Sequence, residues 1–348
     1  MIAEKQIITQ EAGVSWTDIT HTVRYYGPYC LCVTSTGRII AGSNTDFGTG
    51  GIWYSDDNGV NWTQSSIISG WWHTLCITST GRIIAGSSNT GIWYSDDNGA
   101  NWIQSNKTDG NWRALCVTPT GRIIAGNYYK GIWYSDDNGI TWTQSNKTDM
   151  TDGDEYCGLC VTPTGRIIAA IGYPYYSDDN GINWVRVTDT NITGYVTGSL
   201  GWRALCVTST GRIIVGGTSN SGSLEGIWYS DDSGVTWTQS NKTDGAWRAL
   251  CVTPTGRIIA ANTNSHGIWY SDDNGETWIQ SDITVGWWYS LCVTPTGRII
   301  TSNSSTTLKY SDPVTEIQKS YTSKPLTGAQ ARELVQQCKA YVQGLKNS

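Results

Sequence analysis

Residues 120–144 read TGRIIAGNYYKGIWYSDDNGITWTQ, and close copies of this stretch recur along the whole chain. Its opening Thr-Gly-Arg-Ile-Ile returns with the arginine at Arg38, Arg82, Arg122, Arg166, Arg212, Arg257 and Arg298, at spacings of 44, 40, 44, 46, 45 and 41 residues. That period fits a four-stranded propeller blade and exceeds most helical repeats. Each unit also reads as four strands. In the third unit, Trp112 to Thr118 is rich in strand formers, Pro119-Thr120-Gly121 is a turn, and Arg122 to Ala125 is a second strand. Gly131 to Ser135 is a third, Asp136 to Gly139 a second turn, and Thr141 to Ser145 a fourth. Strict alternation of polar and apolar residues is weak, as expected where both faces of a blade are packed by its neighbours.

The second turn carries the sharper signature, Ser-x-Asp-x-Gly-x-x-Trp. It occurs intact six times: Ser55 to Trp62, Ser95 to Trp102, Ser135 to Trp142, Ser177 to Trp184, Ser230 to Trp237 and Ser271 to Trp278. In the first two copies the residues are Ser55, Asp57, Gly59 and Trp62, then Ser95, Asp97, Gly99 and Trp102. Ser and Asp can bond the turn's own backbone, Gly admits a positive φ, and Trp plugs the strands beneath. This motif resembles the Asp box of sialidases and related propellers, the BNR family. The resemblance implies a structural box lying away from the functional face, so its carboxylates are not expected to act as catalysts or calcium ligands.

A seventh box is missing. The last unit runs through Leu291-Cys292-Val293-Thr294, Arg298-Ile299-Ile300 and Leu308 to Asp312, then meets Pro313 without a fourth strand. Gly13-Val14-Ser15-Trp16-Thr17 matches Gly59 to Thr63, so a strand over 13–20 is expected to complete the last blade and leave no open edge. The fold class is therefore all-β: a seven-bladed β-propeller over 1–312. A linker over 313–325 and an amphipathic helix over 326–346 are expected to follow. Thr327 to Gln330 has the form of a capping box, and Leu334, Val335, Cys338, Tyr341, Val342 and Leu345 lie at helical spacing. Such a helix buries its stripe either on the ring or on a partner or second copy.

Composition narrows the function classes. Net charge is −6 and no basic run occurs, which argues against nucleic acid as a partner. No stretch is apolar enough to insert into a membrane, and the first residues do not form a secretory signal. Synthesis in the cytoplasm is expected, with display on a virion or other extracellular assembly by another route. Of ten cysteines, seven (Cys32, Cys76, Cys116, Cys160, Cys206, Cys251, Cys292) share one repeat position and read as small buried hydrophobes. Cys30-x-Cys32 and Cys157-x-x-Cys160 lack a second pair for zinc, so neither metal nor cofactor is expected.

Strand direction sorts the loops. The Pro-Thr-Gly turns and boxes share one uniform face. The loops between blades, and those joining second to third strands, share the other and carry nearly all the variation, which is where binding is expected. First strands open there on an aromatic: Tyr29, Trp72, Trp112, Tyr156, Trp202, Trp247 and Trp288. Arg113, Arg203 and Arg248 follow the Trp in three blades, with His73 and Tyr289 in two others. Aromatic faces stack on sugars, and arginines hold carboxylates, sulfates or phosphates. Alternatively, the Trp are inter-blade packing and the Arg pair with Asp109 and Asp244.

The sialidase resemblance raises catalysis. That family's Arg-Ile-Pro is absent, and Arg-Ile-Ile stands instead in every blade at the wrong end. A two-carboxylate glycosidase needs unique acids facing each other. Asp46, Asp152, Asp154, Glu155 and Glu225 lie in non-repeated loops, yet none has a recognisable context. The expectation is a non-catalytic, lectin-like propeller recognising glycan or another surface ligand, with its C-terminal helix contacting a protein partner or itself. A structural or decoration component of a phage-like assembly is the alternative reading, and a sialidase-like glycoside hydrolase the third.

Overall fold

The computed structural model describes residues 4–10, 12–19, 28–43, 50–147, 157–171, 173–188, 202–217, 225–264, 266–303 and 307–320. The helix expected over 326–346 lies outside them, as do Tyr156, Asp46, Asp152, Asp154 and Glu155. The chain divides into two compact units, residues 12–312, and residues 1–11 with 313–348.

Residues 12–312 form seven four-stranded antiparallel sheets, each in simple meander order. Blade 3 runs Trp112–Val117, Ile123–Asn127, Gly131–Ser135, Thr143–Gln144. Each first strand lies against the first strands of both neighbouring blades, around a closed circuit from Cys30–Val33 to Trp288–Val293. First strands are therefore innermost. The repeated Ile-Ile pair explains why the blades stack. At the seam between blades 2 and 3, Ile84 and Ile123 pack with Trp112 and Trp142, while Ile124 turns to the next seam with Ile167 and Trp184. Both isoleucines are fully buried, one on each face of the sheet. Each such side chain contributes about 1.5–3 kcal/mol over its exposed state. The core is thus seven wedges, each holding one box tryptophan.

The seventh wedge holds Trp16, and the last blade closes as expected but with a different boundary. The closing strand is Thr17–Ile19, paired Thr17↔Tyr310, Asp18↔Lys309 and Ile19↔Leu308. Lys309 and Asp18 also form an ion pair at 2.7 Å. Residues 13–16 are not strand; they supply the second half of a box. Gly13 donates its N–H to Ser311 Oγ at 2.7 Å, as Gly59 does to Ser55 Oγ at 2.9 Å. Trp16 Nε1 donates to Gly13 O at 3.2 Å, matching Trp62 to Gly59 at 2.7 Å. The seventh box is therefore present but split between the two ends of the ring. Sequence reading missed it because Pro313 stands where the Asp belongs, leaving Ser311 and Trp16 almost a whole chain apart.

In the second unit, Glu4–Gln10 pairs antiparallel with Val314–Ser320, from Glu4↔Ser320 to Gln10↔Val314. Much of the segment expected as linker is thus a strand, and the first strand of the chain pairs here rather than in blade 7. Neither strand has a repeat copy to reveal it, which is why a repeat-based reading passes over both.

Candidate functional site

On the box face the repeated carboxylates are paired with neighbouring groups of the same turn. Asp57 Oδ1 accepts from Ser55 Oγ at 2.9 Å and from Asn61 N at 2.8 Å, and Oδ2 from Asn61 Nδ2 at 2.6 Å. Burial pushes the Asp57 carboxyl up, but these bonds outweigh it and hold its pKa below the usual carboxylate range. Asp97 shows the same balance with Asn101 and Ser95. Gly59 and Gly99 stand at φ 90° and 87°, and Trp62 and Trp102 are buried at 7 % exposure. The preceding aspartates are spent too. Arg122 forms a bidentate pair with Asp136 at 2.6 and 2.8 Å, stacks over Tyr134, and reaches Asn180 O of the next blade at 3.0 Å. Arg38, Arg82, Arg166, Arg212, Arg257 and Arg298 form the same pair. Such an exposed pair adds only about 0–1 kcal/mol, so its work is to aim the arginine across the seam.

The opposite face differs in kind. Trp72, Trp112, Trp202, Trp247 and Trp288 stand where the sequence places them, but at 0–3 % exposure. Trp112 packs against Trp142 at 6.3 Å between ring centroids, and Trp202 against Trp237 at 4.6 Å. The indole N–H groups of Trp72, Trp112, Trp247 and Trp288 turn back to carbonyls three residues upstream, as Trp112 does to Asp109 at 2.8 Å and Trp247 to Asp244 at 2.9 Å. These five indoles fill the seams between blades instead of standing open at the channel mouth, where the sequence reading set them. Tyr156 lies outside the described residues.

The residue after each tryptophan is placed otherwise. In blades 2, 3, 5, 6 and 7 the pairing of first and second strands slips by one there, between Trp72 and Thr74, Trp112 and Ala114, Trp202 and Ala204, Trp247 and Ala249, Trp288 and Ser290. A bulge leaves its extra residue unpaired and re-aims the side chain. The five bulged residues are His73, Arg113, Arg203, Arg248 and Tyr289. Tyr29 joins this set. Cys30 pairs with Gly42 as Ala114 pairs with Gly126, so Tyr29 is the counterpart of Arg113, not of Trp112.

These side chains converge although they come from different blades. Tyr29 stacks on Tyr289 at 4.9 Å between ring centroids and meets the edge of His73 at 5.8 Å. Arg248 lies 4.6 Å over Tyr289 and 5.3 Å over Tyr29. Arg113 Nη1 is 3.0 Å from His73 Nε2 and also lies near Nδ1. Burial lowers the His73 pKa to about 3, helped by Arg113, Arg248 and Arg203. The imidazole is therefore neutral and accepts from Arg113. Burial also lowers the Arg248 pKa, and the groups acting on it are two tyrosines, Arg113 and a thiol. The expected pairing of the arginines with Asp109 and Asp244 does not occur. Asp109 holds Lys130 at 2.5 Å, and Asp244 holds Lys242 at 2.5 Å.

The aromatic and cationic members are sorted around the ring. Tyr289, Tyr29 and His73 come from blades 7, 1 and 2, while the arginines come from blades 3, 5 and 6. Blades 2 and 7 also expose a second tryptophan just before the plug, Trp71 at 39 % and Trp287 at 52 %, beside Ile68 and Val285. The sequence carried this signal as the doublets Gly70-Trp71-Trp72 and Gly286-Trp287-Trp288, found in those two blades and absent from the other Trp-bearing ones. Of the acids weighed for catalysis, Glu225 is described, and it contributes its backbone carbonyl to Trp228 Nε1 and Gln239 Nε2. The repeat cysteines stand as free thiols, and burial pushes Cys76, Cys160 and Cys292 up to about 12.

Compared with known families, residues 133–144 and 175–186 match the BNR/Asp-box repeat. No curated protein matches the sequence. Among solved structures, the virginiamycin B lyase of Staphylococcus aureus superposes with a TM-score of 0.68 at 12 % identity, covering 86 % of this chain and 99 % of that one. The GH74 enzyme of Niastella koreensis gives 0.65 at 15 % identity, covering 86 % of this chain and 53 % of that one. YCF48 bound to D1 peptide gives 0.61 at 15 % identity, covering 85 % and 96 %. At these identities the likeness is one of fold. The chain is a seven-bladed β-propeller built on BNR/Asp-box repeats.

Proposed function

We propose that this protein is a non-catalytic binding propeller, and that its ligand is a carbohydrate bearing an anionic group, taken on the loop face where the first strands begin. One observation carries the reading: an arc of three arginines faces an arc of aromatics flanked by exposed Trp71 and Trp287. Guanidinium groups bind carboxylate or sulfate through charge-assisted bonds, and an open indole face covers the apolar side of a sugar ring. The two halves side by side support an acidic sugar more than either does alone.

Catalysis fits this face poorly. The lyase and the GH74 hydrolase that share the fold are enzymes by name, but a glycosidase acid needs a raised pKa. Here Asp109 and Asp244 are held below the usual range, first by hydrogen bonds from Lys130 and Lys242. A glycan array spanning neutral, carboxylated and sulfated sugars tests the proposal with wild type and a Trp71→Ala/Trp287→Ala variant. Binding confined to acidic glycans and lost in the variant supports it. Turnover of a bound glycan, or neutral and acidic glycans binding alike, would overturn it.

A further inference from the structure

The seams between blades are not equivalent on the box face. The fourth box residue, Asn in five boxes, sits at a left-handed φ of 60–63°, and its carboxamide reaches back to the Pro/Ser-Thr-Gly turn of the preceding blade. Asn98 donates to Thr36 Oγ1 at 3.2 Å, Asn138 to Thr80 at 3.1 Å, Asn180 to Thr120 at 3.0 Å and Asn274 to Thr210 at 3.2 Å. The preceding blade's arginine reaches the same residue's backbone, with Nη1 at 3.0–3.2 Å from the main-chain carbonyl oxygen of the Asn. Further out, a backbone bond joins the blades, such as Asn106 N to Ile140 O at 3.1 Å.

Between blades 4 and 5 the clasp is undone. The box residue is Ser233, at the same φ of 60° but with no carboxamide to offer Thr164. Arg166 Nη1 has drawn back to 3.4 Å from Ser233 O. No backbone bond joins Thr188 to Val235 among the described residues. A cavity of about 700 Å³ runs from the clasped pair Thr120 and Asn180 of the neighbouring seam, across Pro163, Thr164 and Arg166, to Ser233 and Val235 at this one. Val235 is 45 % exposed. The seam between blades 7 and 1 also lacks the side-chain clasp among the described residues, although Asn58 brings a carboxamide there, and between blades 6 and 7 Ala12 holds the position, with Arg257 Nη1 at 3.2 Å from its carbonyl oxygen.

We propose that this cavity is a binding site for a carboxamide, the group that the chain itself supplies at the four clasped seams. The amide nitrogen donates to Thr164 Oγ1, as the Asn side chains do to the equivalent threonines at the clasped seams, while Arg166 Nη1 keeps its long bond to Ser233 O and the adjoining carbon chain rests on Pro163 and Val235. A free small amide and the side chain of a glutamine or asparagine in a peptide share this chemistry. The site lies on the face opposite the carbohydrate site, so the two readings stand or fall separately.

Saturation-transfer NMR with propionamide, N,N-dimethylpropionamide and acetyl-Gly-Gln-Gly-methylamide tests it on wild type and Ser233→Asn. The variant rebuilds the clasp found at the other seams and is expected to fold with an equal or higher Tm, since Asn tolerates this φ. Propionamide signal in wild type, at least fivefold weaker in Ser233→Asn and for the dimethyl compound, supports the site. A stronger response from the glutamine peptide identifies a peptide as the source, and an equal or weaker one a free amide. No propionamide signal at 50 mM, or equal signals in a folded Ser233→Asn, overturns the proposal. Should the variant unfold, loss of propionamide's advantage over the dimethyl compound in wild type does the same.

Discussion

Replacing His73 by Gln tests whether burial, with Arg113, Arg248 and Arg203 nearby, keeps the imidazole neutral at the centre of the loop face. The imidazole is buried beside Arg113 Nη1 at 3.0 Å, and its pKa falls from an ordinary 6.5 to about 3. The folded state thus keeps His73 neutral at pH values where the unfolded chain protonates it. More protons are bound when unfolded, so stability rises with pH in this window and is lost as pH falls from 6.5 towards 3. Between pH 7 and pH 5 the unfolded-state protonation of one such group costs about 2 kcal/mol of stability. Gln keeps an acceptor for Arg113 and does not titrate. Urea unfolding of wild type and His73→Gln at half-unit pH intervals measures the difference. The wild type is expected to lose about 2 kcal/mol more than the variant over those two units. Parallel pH profiles for the two proteins would refute the reasoning, since His73 would then titrate alike folded and unfolded.

Acid should act on the opposite face at lower pH. Asp57, Asp97, Asp137, Asp179, Asp232 and Asp273 are all held below the usual carboxylate range by box hydrogen bonds that outweigh burial. Their stabilisation is full above about pH 4 and fades as pH falls through the lowered values, so Tm should drop steeply below pH 4 and less so in an Asp57→Asn/Asp137→Asn variant already destabilised at neutral pH. Gly91→Ala should destabilise more than an ordinary surface change, by about 2 kcal/mol or more in urea melts. A Cβ there stands 2.0 Å from Lys107 O at a φ of +85°, against the bond that Ile92 N makes to that oxygen. Removing residues 1–19 deletes the strand Thr17–Ile19 and half of the split box, leaving blade 7 with an open edge. Analytical ultracentrifugation should then show aggregation or a loss of cooperative unfolding.

The ring was legible because repetition multiplies a weak signal. One Ile-Ile or one Ser-x-Asp-x-Gly-x-x-Trp says little, whereas seven copies of the first and six of the second at a steady period fix the blade, its turns and its sidedness. The same logic hid what is not repeated. The ribbon of Glu4–Gln10 with Val314–Ser320 has no copy, and the seventh box is cut between Ser311 and Gly13. At the candidate site, the sequence led to the first-strand tryptophans, whereas the side chains that converge belong to the next residue along. Trp112 and its equivalents look like ligand platforms, yet their indoles fill the seams, and the bulge that re-aims Arg113, Arg203 and Arg248 leaves no trace in composition. Tyr29 was paired with the wrong column because Pro28 occupies the plug position in blade 1. Trp71 and Trp287 were visible as doublets, but telling an exposed indole from a buried one takes the structure.

The central claim is that ligand is held on the loop face, between the arginine arc and the exposed tryptophans. Calorimetric titration of an acidic glycan, with wild type, Trp71→Ala/Trp287→Ala, and Val60→Thr as a change on the box face, reads this out. The account predicts at least tenfold weaker binding in the tryptophan variant, affinity that falls with added salt, and an unaltered constant in the valine variant. Full affinity in the tryptophan variant, or a loss in the valine variant alone, would contradict it.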